Sequence, residues 1–147
     1  MSKPIALQKK KQKSHKILLV DDDSRILNIT SQALEYEGYQ VATVTSGEAA
    51  IEALYTRDFD LVITDLFMGQ VDGISVLKKA KESNPEVKVI IMTGNFDIHF
   101  VIEALRRNAD DYILKPFTID ELLNRVSNFI GKPSALGLHH REHIKII

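Results

Sequence analysis

Four short apolar runs in this chain each end on residues able to do chemistry. Residues 17–20 run into Asp21, Asp22 and Asp23, residues 61–64 into Asp65, residues 87–92 into Thr93 and Gly94, and residues 112–114 into Lys115 and Pro116. Carboxylates brought together repel one another, so at least one would keep its proton unless a cation balances them. An all-oxygen donor set suits a hard divalent cation such as Mg2+, whereas Zn2+ favours His or Cys, and the chain has no cysteine. A lysine and a hydroxyl facing the same carboxylates can balance and hydrogen-bond phosphoryl oxygens. The set therefore reads as phosphoryl transfer onto an aspartate.

That chemistry requires the ends of the runs to meet. The runs are β-rich and almost uninterrupted in apolar character, the pattern of strands covered on both faces in a parallel sheet, and a fifth strand is expected at residues 40–45. Between them, apolar residues recur at helical spacing. Ile26, Leu27, Ile29, Ala33 and Leu34 form one stripe, Ala49, Ala50, Ala53 and Leu54 the next, and Ile74, Val76, Leu77 and Ala80 a third. Ile98, Val101, Ile102 and Leu105 form a fourth, and Ile119, Leu122, Leu123, Val126 and Ile130 a fifth, ended by Gly131. Five β-then-α units predict a flavodoxin-like, doubly wound (βα)5 fold of the α/β class, with a five-stranded parallel sheet in the order 2-1-3-4-5. In that order the first and third strands are neighbours about 4.8 Å apart. Asp21, Asp22 and Asp65 then share one pocket beyond the carboxyl ends of the strands, where open α/β sheets bind ligands.

With 147 residues, 44% apolar and 27% charged, the chain has the composition of one ordinary domain. It is large enough to fold without a disulfide or structural metal. The net charge of -1 hides an uneven distribution: residues 1–16 hold six Lys and no acid, residues 17–131 ten basic and nineteen acidic residues, and residues 132–147 three basic and one acidic. The expected organisation is a basic arm at 1–16, a folded body at 17–131, and a tail or the start of a linker at 132–147. No aromatic interleaves the lysines, so the arm reads as solvated and no nucleic-acid binding is expected of it. The longest purely apolar runs are four residues, far short of a membrane span. With no secretory pattern and no cysteine, the expected location is the cytoplasm. The sixteen residues after Gly131 are too few for an output domain, so a stand-alone module or a piece of a longer parent is expected.

At the strand-end residues the chain resembles the receiver domain of two-component response regulators, over Lys16 to about Gly131. The matching text is KILLVDDD, DLVITDLFMGQVDG, VIIMTG and DDYILKPF, in that order. The resemblance implies that Asp65 is the phosphoacceptor and that Asp21 and Asp22 bind Mg2+ together with Asp65 and the backbone carbonyl of Phe67. It further implies that Thr93 is the switch hydroxyl, Lys115 the phosphate-pairing lysine and Tyr112 the aromatic switch position, with a cis bond before Pro116. The implied donor is a sensor histidine kinase or a histidine phosphotransfer protein. The implied output is a dimer or effector contact on the face of the fourth helix, fifth strand and fifth helix, residues 95–128. Such a module is a signalling phosphoacceptor that promotes its own phosphorylation and dephosphorylation, not a metabolic enzyme.

Two departures from the family pattern stand out. Gly69 occupies a position where the family commonly has Pro, which leaves that loop less restricted. Phe67 and Asn95 stand two residues after the acceptor and the switch Thr, positions that in the family influence how water reaches the phosphoryl group. The expectation is that Phe67 shields the acyl phosphate.

Other readings are available. A haloacid-dehalogenase-like phosphohydrolase also uses Asp, Thr or Ser, and Lys at strand ends, with Asp21 as its nucleophile. Against it, Arg25 stands where a small residue is usual, no cap-sized insertion exists, and no acid pair follows the fourth strand. A receiver-like binding module that works without phosphorylation would not need Asp21, Asp22, Asp65, Thr93 and Lys115 all in place. Asp23 reads as a helix-start acid, and Asp72 with Gly73 as a turn and helix start. His139, His140 and His143 include a pair four apart but lack a third ligand at clear spacing, so they read as a polar tail. Arg106, Arg107, Asp110 and Asp111 read as a solvated edge, and residues 138–147 as a segment without a partner.

Overall fold

Successive strand residues point to opposite faces, so the run at residues 17–20 divides its side chains between two cores. Ile17 and Leu19 join Leu27, Leu34, Leu122 and Val126 on one side. Leu18 and Val20 join Ala50, Val76, Leu77 and Ala104 on the other. Both faces are therefore dry, which explains the uninterrupted apolar text.

The computed structural model describes residues 15–94, 98–133 and 145–146. In chain order the elements are β1 (Lys16–Val20), α1 (Ser24–Tyr36), β2 (Gln40–Val44), α2 (Gly47–Thr56), β3 (Leu61–Asp65), α3 (Gly73–Ser83), β4 (Lys88–Thr93), α4 (Ile98–Arg106), β5 (Asp111–Leu114), β6 (Phe117–Thr118), α5 (Ile119–Ile130) and β7 (Lys145–Ile146). The main sheet is wholly parallel in the order β2-β1-β3-β4-β5. α1 and α5 cover one face, and α2, α3 and α4 the other. Fold class and strand order agree with the sequence expectation. Among the described residues, no helix is long and apolar enough to cross a membrane.

Side-chain caps start four of the helices, satisfying backbone N–H groups that have no partner within the helix. Asp23 accepts from Arg25 N, Ser46 from Ala49 N, Asp72 from Ser75 N and Thr118 from Glu121 N. The first and third of these bear out the reading of Asp23 and Asp72 as helix-start residues.

Two readings of the surface are corrected. Asp110 is not part of a solvated edge. Its carboxylate accepts from Lys81 Nζ and from Val89 N, both at 2.8 Å, and so ties α3 to the start of β4. Asp111 likewise accepts from Arg125 Nη1 at 2.8 Å, fixing α5 to β5. The segment at 145–146 is also not without a partner, since β7 pairs antiparallel with β6. A two-residue strand leaves no periodicity to read, which is why neither β6 nor β7 was visible in the sequence. The histidines at 139, 140 and 143, and the arm before His15, lie outside the described residues.

Candidate functional site

Strand register assembles the site. Val20 pairs with Thr64, so Asp21, the first residue after β1, lies beside Asp65, the last residue of β3. Asp65 pairs with Met92, and Thr93 pairs with Leu114, which puts Thr93 and Lys115 next along the same rim. The Lys115 N–H donates to the Thr93 carbonyl at 2.9 Å, fixing where the lysine side chain departs. A one-residue slip of β1 would turn its buried side chains to the wrong cores and carry Asp21 out of the pocket.

The side chains converge as the register requires. Lys115 Nζ donates to Asp21 Oδ2 at 2.7 Å and to Asp65 Oδ2 at 3.1 Å. The second oxygens are also engaged: Asp21 Oδ1 accepts from Asp23 N at 2.9 Å, and Asp65 Oδ1 from Leu66 N at 2.7 Å. Asp21, Asp65 and Thr93 are 0%, 8% and 1% exposed, while Asp22 faces solvent at the mouth. The Lys115–Pro116 bond is cis.

Burial dominates the electrostatics of Asp21. It penalises the charged carboxylate more than the Lys115 hydrogen bond favours it, so the group titrates above the usual aspartate range. Burial opposes the charge on Lys115 as well, but the hydrogen bond to Asp21 and the charges of Asp65 and Asp21 outweigh it and raise its pKa.

Asp21, Asp22 and Asp65 each present a carboxylate oxygen within 4.8 Å of the other two. One ammonium against three carboxylates leaves an excess of two negative charges, which a single divalent cation balances. Hard oxygen donors, partial exposure at Asp22 and no imidazole in the cluster suit Mg2+ and leave room for water or phosphate ligands. The residues present fit the ion.

The loop between β3 and α3 is held by close approach as well as by hydrogen bonds. A Cβ on Gly73 would stand 2.2 Å from the Asp65 carbonyl oxygen, and one on Gly47 would stand 2.3 Å from the Val71 oxygen. Only glycine lets α3 begin this close to Asp65 and lets α2 press on the loop. Gly73 N then donates to the Leu66 carbonyl at 2.8 Å. At the loop tip, Gly69 has φ +80° and open space around it, as a glycine in the usual proline position permits.

Among the residues expected at the site, Asp21, Asp22, Asp65 and Lys115 come together, with Thr93 on the adjoining rim. Phe67 follows on the loop, 39% exposed, and Tyr112 lies on β5, 38% exposed. Asn95 falls outside the described residues. The sequence reading missed Phe100, whose ring meets Phe67 edge to face at 4.8 Å between centroids. The stripe traced for α4 is corrected here: Ile102 and Leu105 on it are exposed, while Phe100 and Ala104, four residues apart and off it, face the core. The contacts of Gly47 and Gly73 were also missed, since nothing local reports a close approach between distant segments.

Residues 17–127 match the family model of the response regulator receiver domain. The chain is 40% identical over 118 residues to the response regulator SaeR of Staphylococcus epidermidis, covering 80% of this chain and 51% of the relative. It is 39% identical over 116 residues to SaeR of Staphylococcus aureus, covering 79% and 50%. The chain thus spans about half the length of the curated relatives it matches. Among solved structures it is similar to a CheY-like receiver domain from Methanospirillum hungatei, with a TM-score of 0.75, 33% identity, and 77% and 90% of the two chains covered. The BeF3-activated DrrB receiver domain gives a TM-score of 0.73 at 33% identity, with 80% and 97% covered. None of these comparisons favours the phosphohydrolase alternative.

Proposed function

Since this chain belongs to the response regulator receiver domain family, we propose that Asp65 accepts a phosphoryl group from a phosphohistidine of a sensor histidine kinase or phosphotransfer protein. The Asp65 carboxylate oxygen forms the new P–O bond as the P–N bond to the donor imidazole breaks. Asp21, Asp22, Asp65 and the Phe67 carbonyl hold Mg2+, which when bound supplies neutralising charge at the phosphoryl oxygens. Lys115 pairs with a phosphoryl oxygen and the Thr93 hydroxyl donates to another. Phe67, at the mouth, limits the approach of water. The observation that carries this reading is the Lys115 ammonium set between Asp21 and Asp65, 2.7 Å and 3.1 Å from their oxygens.

The added charge biases a two-state surface. As Lys115 and Thr93 turn toward the phosphoryl group, α4, β5 and α5 repack around Tyr112, and that face meets a second copy or an effector. Residues 17–131 form the signalling unit, with 1–16 as an arm and 132–147 as a tail or the start of a linker. Acetyl phosphate should label the protein only when Mg2+ is present. Asp65→Asn should abolish the label, and labelling that survives this change would overturn the reading.

A further inference from the structure

We propose that Phe100 of α4 is a positioning residue for the acyl phosphate, acting by holding the Phe67 ring at the mouth of the acidic pocket. The inference rests on the reading of Asp65 as phosphoacceptor. Leu66 and Met68 are buried in the core beneath the loop, and Phe67 between them is turned outward and 39% exposed. Its ring meets Phe100 at 4.8 Å and 82°, the edge-to-face arrangement that aromatic quadrupoles favour. Phe100 is itself packed against the core on the α2–α3–α4 face, so it is the better-anchored member of the pair.

The loop backbone does not do this work by itself. Leu66 is fixed through its carbonyl to Gly73 N, but two residues beyond Phe67 the chain passes through Gly69, at φ +80° with nothing within 4 Å of its Cβ position. The burial of Leu66 and Met68 fixes the backbone on either side of Phe67, and the contact with Phe100 sets where its ring lies. Hydrolysis of the acyl phosphate adds a water oxygen to phosphorus as the P–O bond to Asp65 breaks, returning the carboxylate and inorganic phosphate. A ring kept at the mouth restricts that water. Because Phe100 sits on α4, a displacement of α4 would carry away the ring that holds Phe67 and so change the phosphoryl lifetime.

The test measures the decay of the phosphoryl group on the full chain after labelling with acetyl phosphate and Mg2+. Phe100→Ala should shorten the lifetime roughly two- to tenfold, the range set by losing one aromatic contact. Phe67→Ala should shorten it at least as much, the double variant should decay no faster than Phe67→Ala, and Phe100→Tyr, which keeps the aromatic ring, should decay at the wild-type rate. Phe100→Leu keeps the packing of α4 while removing the aromatic edge, and should behave as Phe100→Ala does, with thermal unfolding confirming the fold. A wild-type lifetime in Phe100→Ala and Phe100→Leu would overturn the inference alone, as would an equal shortening by Phe100→Ala in the Phe67→Ala background. Absence of label on Asp65 in the wild type would instead overturn the phosphoacceptor reading, and this inference with it.

Discussion

Lys115 Nζ donates to Asp21 Oδ2 at 2.7 Å, joining two residues 94 positions apart in the chain. The contact closes the rim from the end of β1 to the end of β5, with Asp65 between. In the metal-free protein this one ammonium is the counter-charge to two buried carboxylates.

Lys115→Met should therefore destabilise the metal-free protein by about 1–3 kcal/mol, less than a fully buried pair because the lysine is partly exposed. Mg2+ should recover much of the loss, since it supplies the missing charge. Denaturant unfolding with chelator and with Mg2+ checks both statements. Equal stabilities for variant and wild type in chelator would count against the balance of charge described.

Stability should also depend on pH through Asp21. Its pKa is raised in the folded chain by burial, so the folded state holds this proton to a higher pH than the unfolded state does. Stability of the chelated protein then falls as pH rises through the window from the ordinary aspartate value to the raised one, and stays lower above it. Asp21→Asn should remove that contribution, so the stability difference between variant and wild type should grow in the variant's favour across the window. Thermal melts over an acid-to-neutral series measure it, and a difference that does not change with pH would contradict the assignment.

Gly73 and Gly69 should respond very differently to alanine. At Gly73 the new Cβ meets the Asp65 carbonyl oxygen at 2.2 Å, so the helix start or the acceptor must shift. Gly73→Ala should cost about 2–4 kcal/mol and reduce labelling of Asp65. Gly69→Ala meets no neighbour and should cost only about 1–2 kcal/mol, from its left-handed backbone. Chemical denaturation together with acetyl phosphate labelling separates the two.

Phosphorylation should change association through α4, β5 and α5. Tyr112 is partly exposed on this face, and Arg125 Nη1 bridges α5 to Asp111 at 2.8 Å and to the Tyr112 carbonyl at 3.0 Å. Sedimentation velocity should show different oligomeric states for the phosphorylated protein and for Asp65→Asn. Identical distributions would argue against this output face.

Much of the site was legible because parallel strands write their chemistry at their carboxyl ends. Asp21, Asp65, Thr93 and Lys115 each follow an apolar run, and strand order alone makes the first two neighbours. The strands were legible too, since burial on both faces leaves apolar text such as ILLV. What stayed hidden depends on contacts between distant segments. Asp110 looks like a surface acid until α3 delivers Lys81 to it. Gly73 looks like a turn residue until its distance from the Asp65 carbonyl is known, and Phe100 falls off the helical stripe yet meets Phe67.

The most direct test of the whole account is to find which aspartate carries the phosphoryl group. The protein is treated with acetyl phosphate and Mg2+, trapped by borohydride reduction, and mapped by peptide mass spectrometry. Modification is expected at Asp65, with Asp21 unmodified. Modification at Asp21, or none at Asp65, would contradict the account.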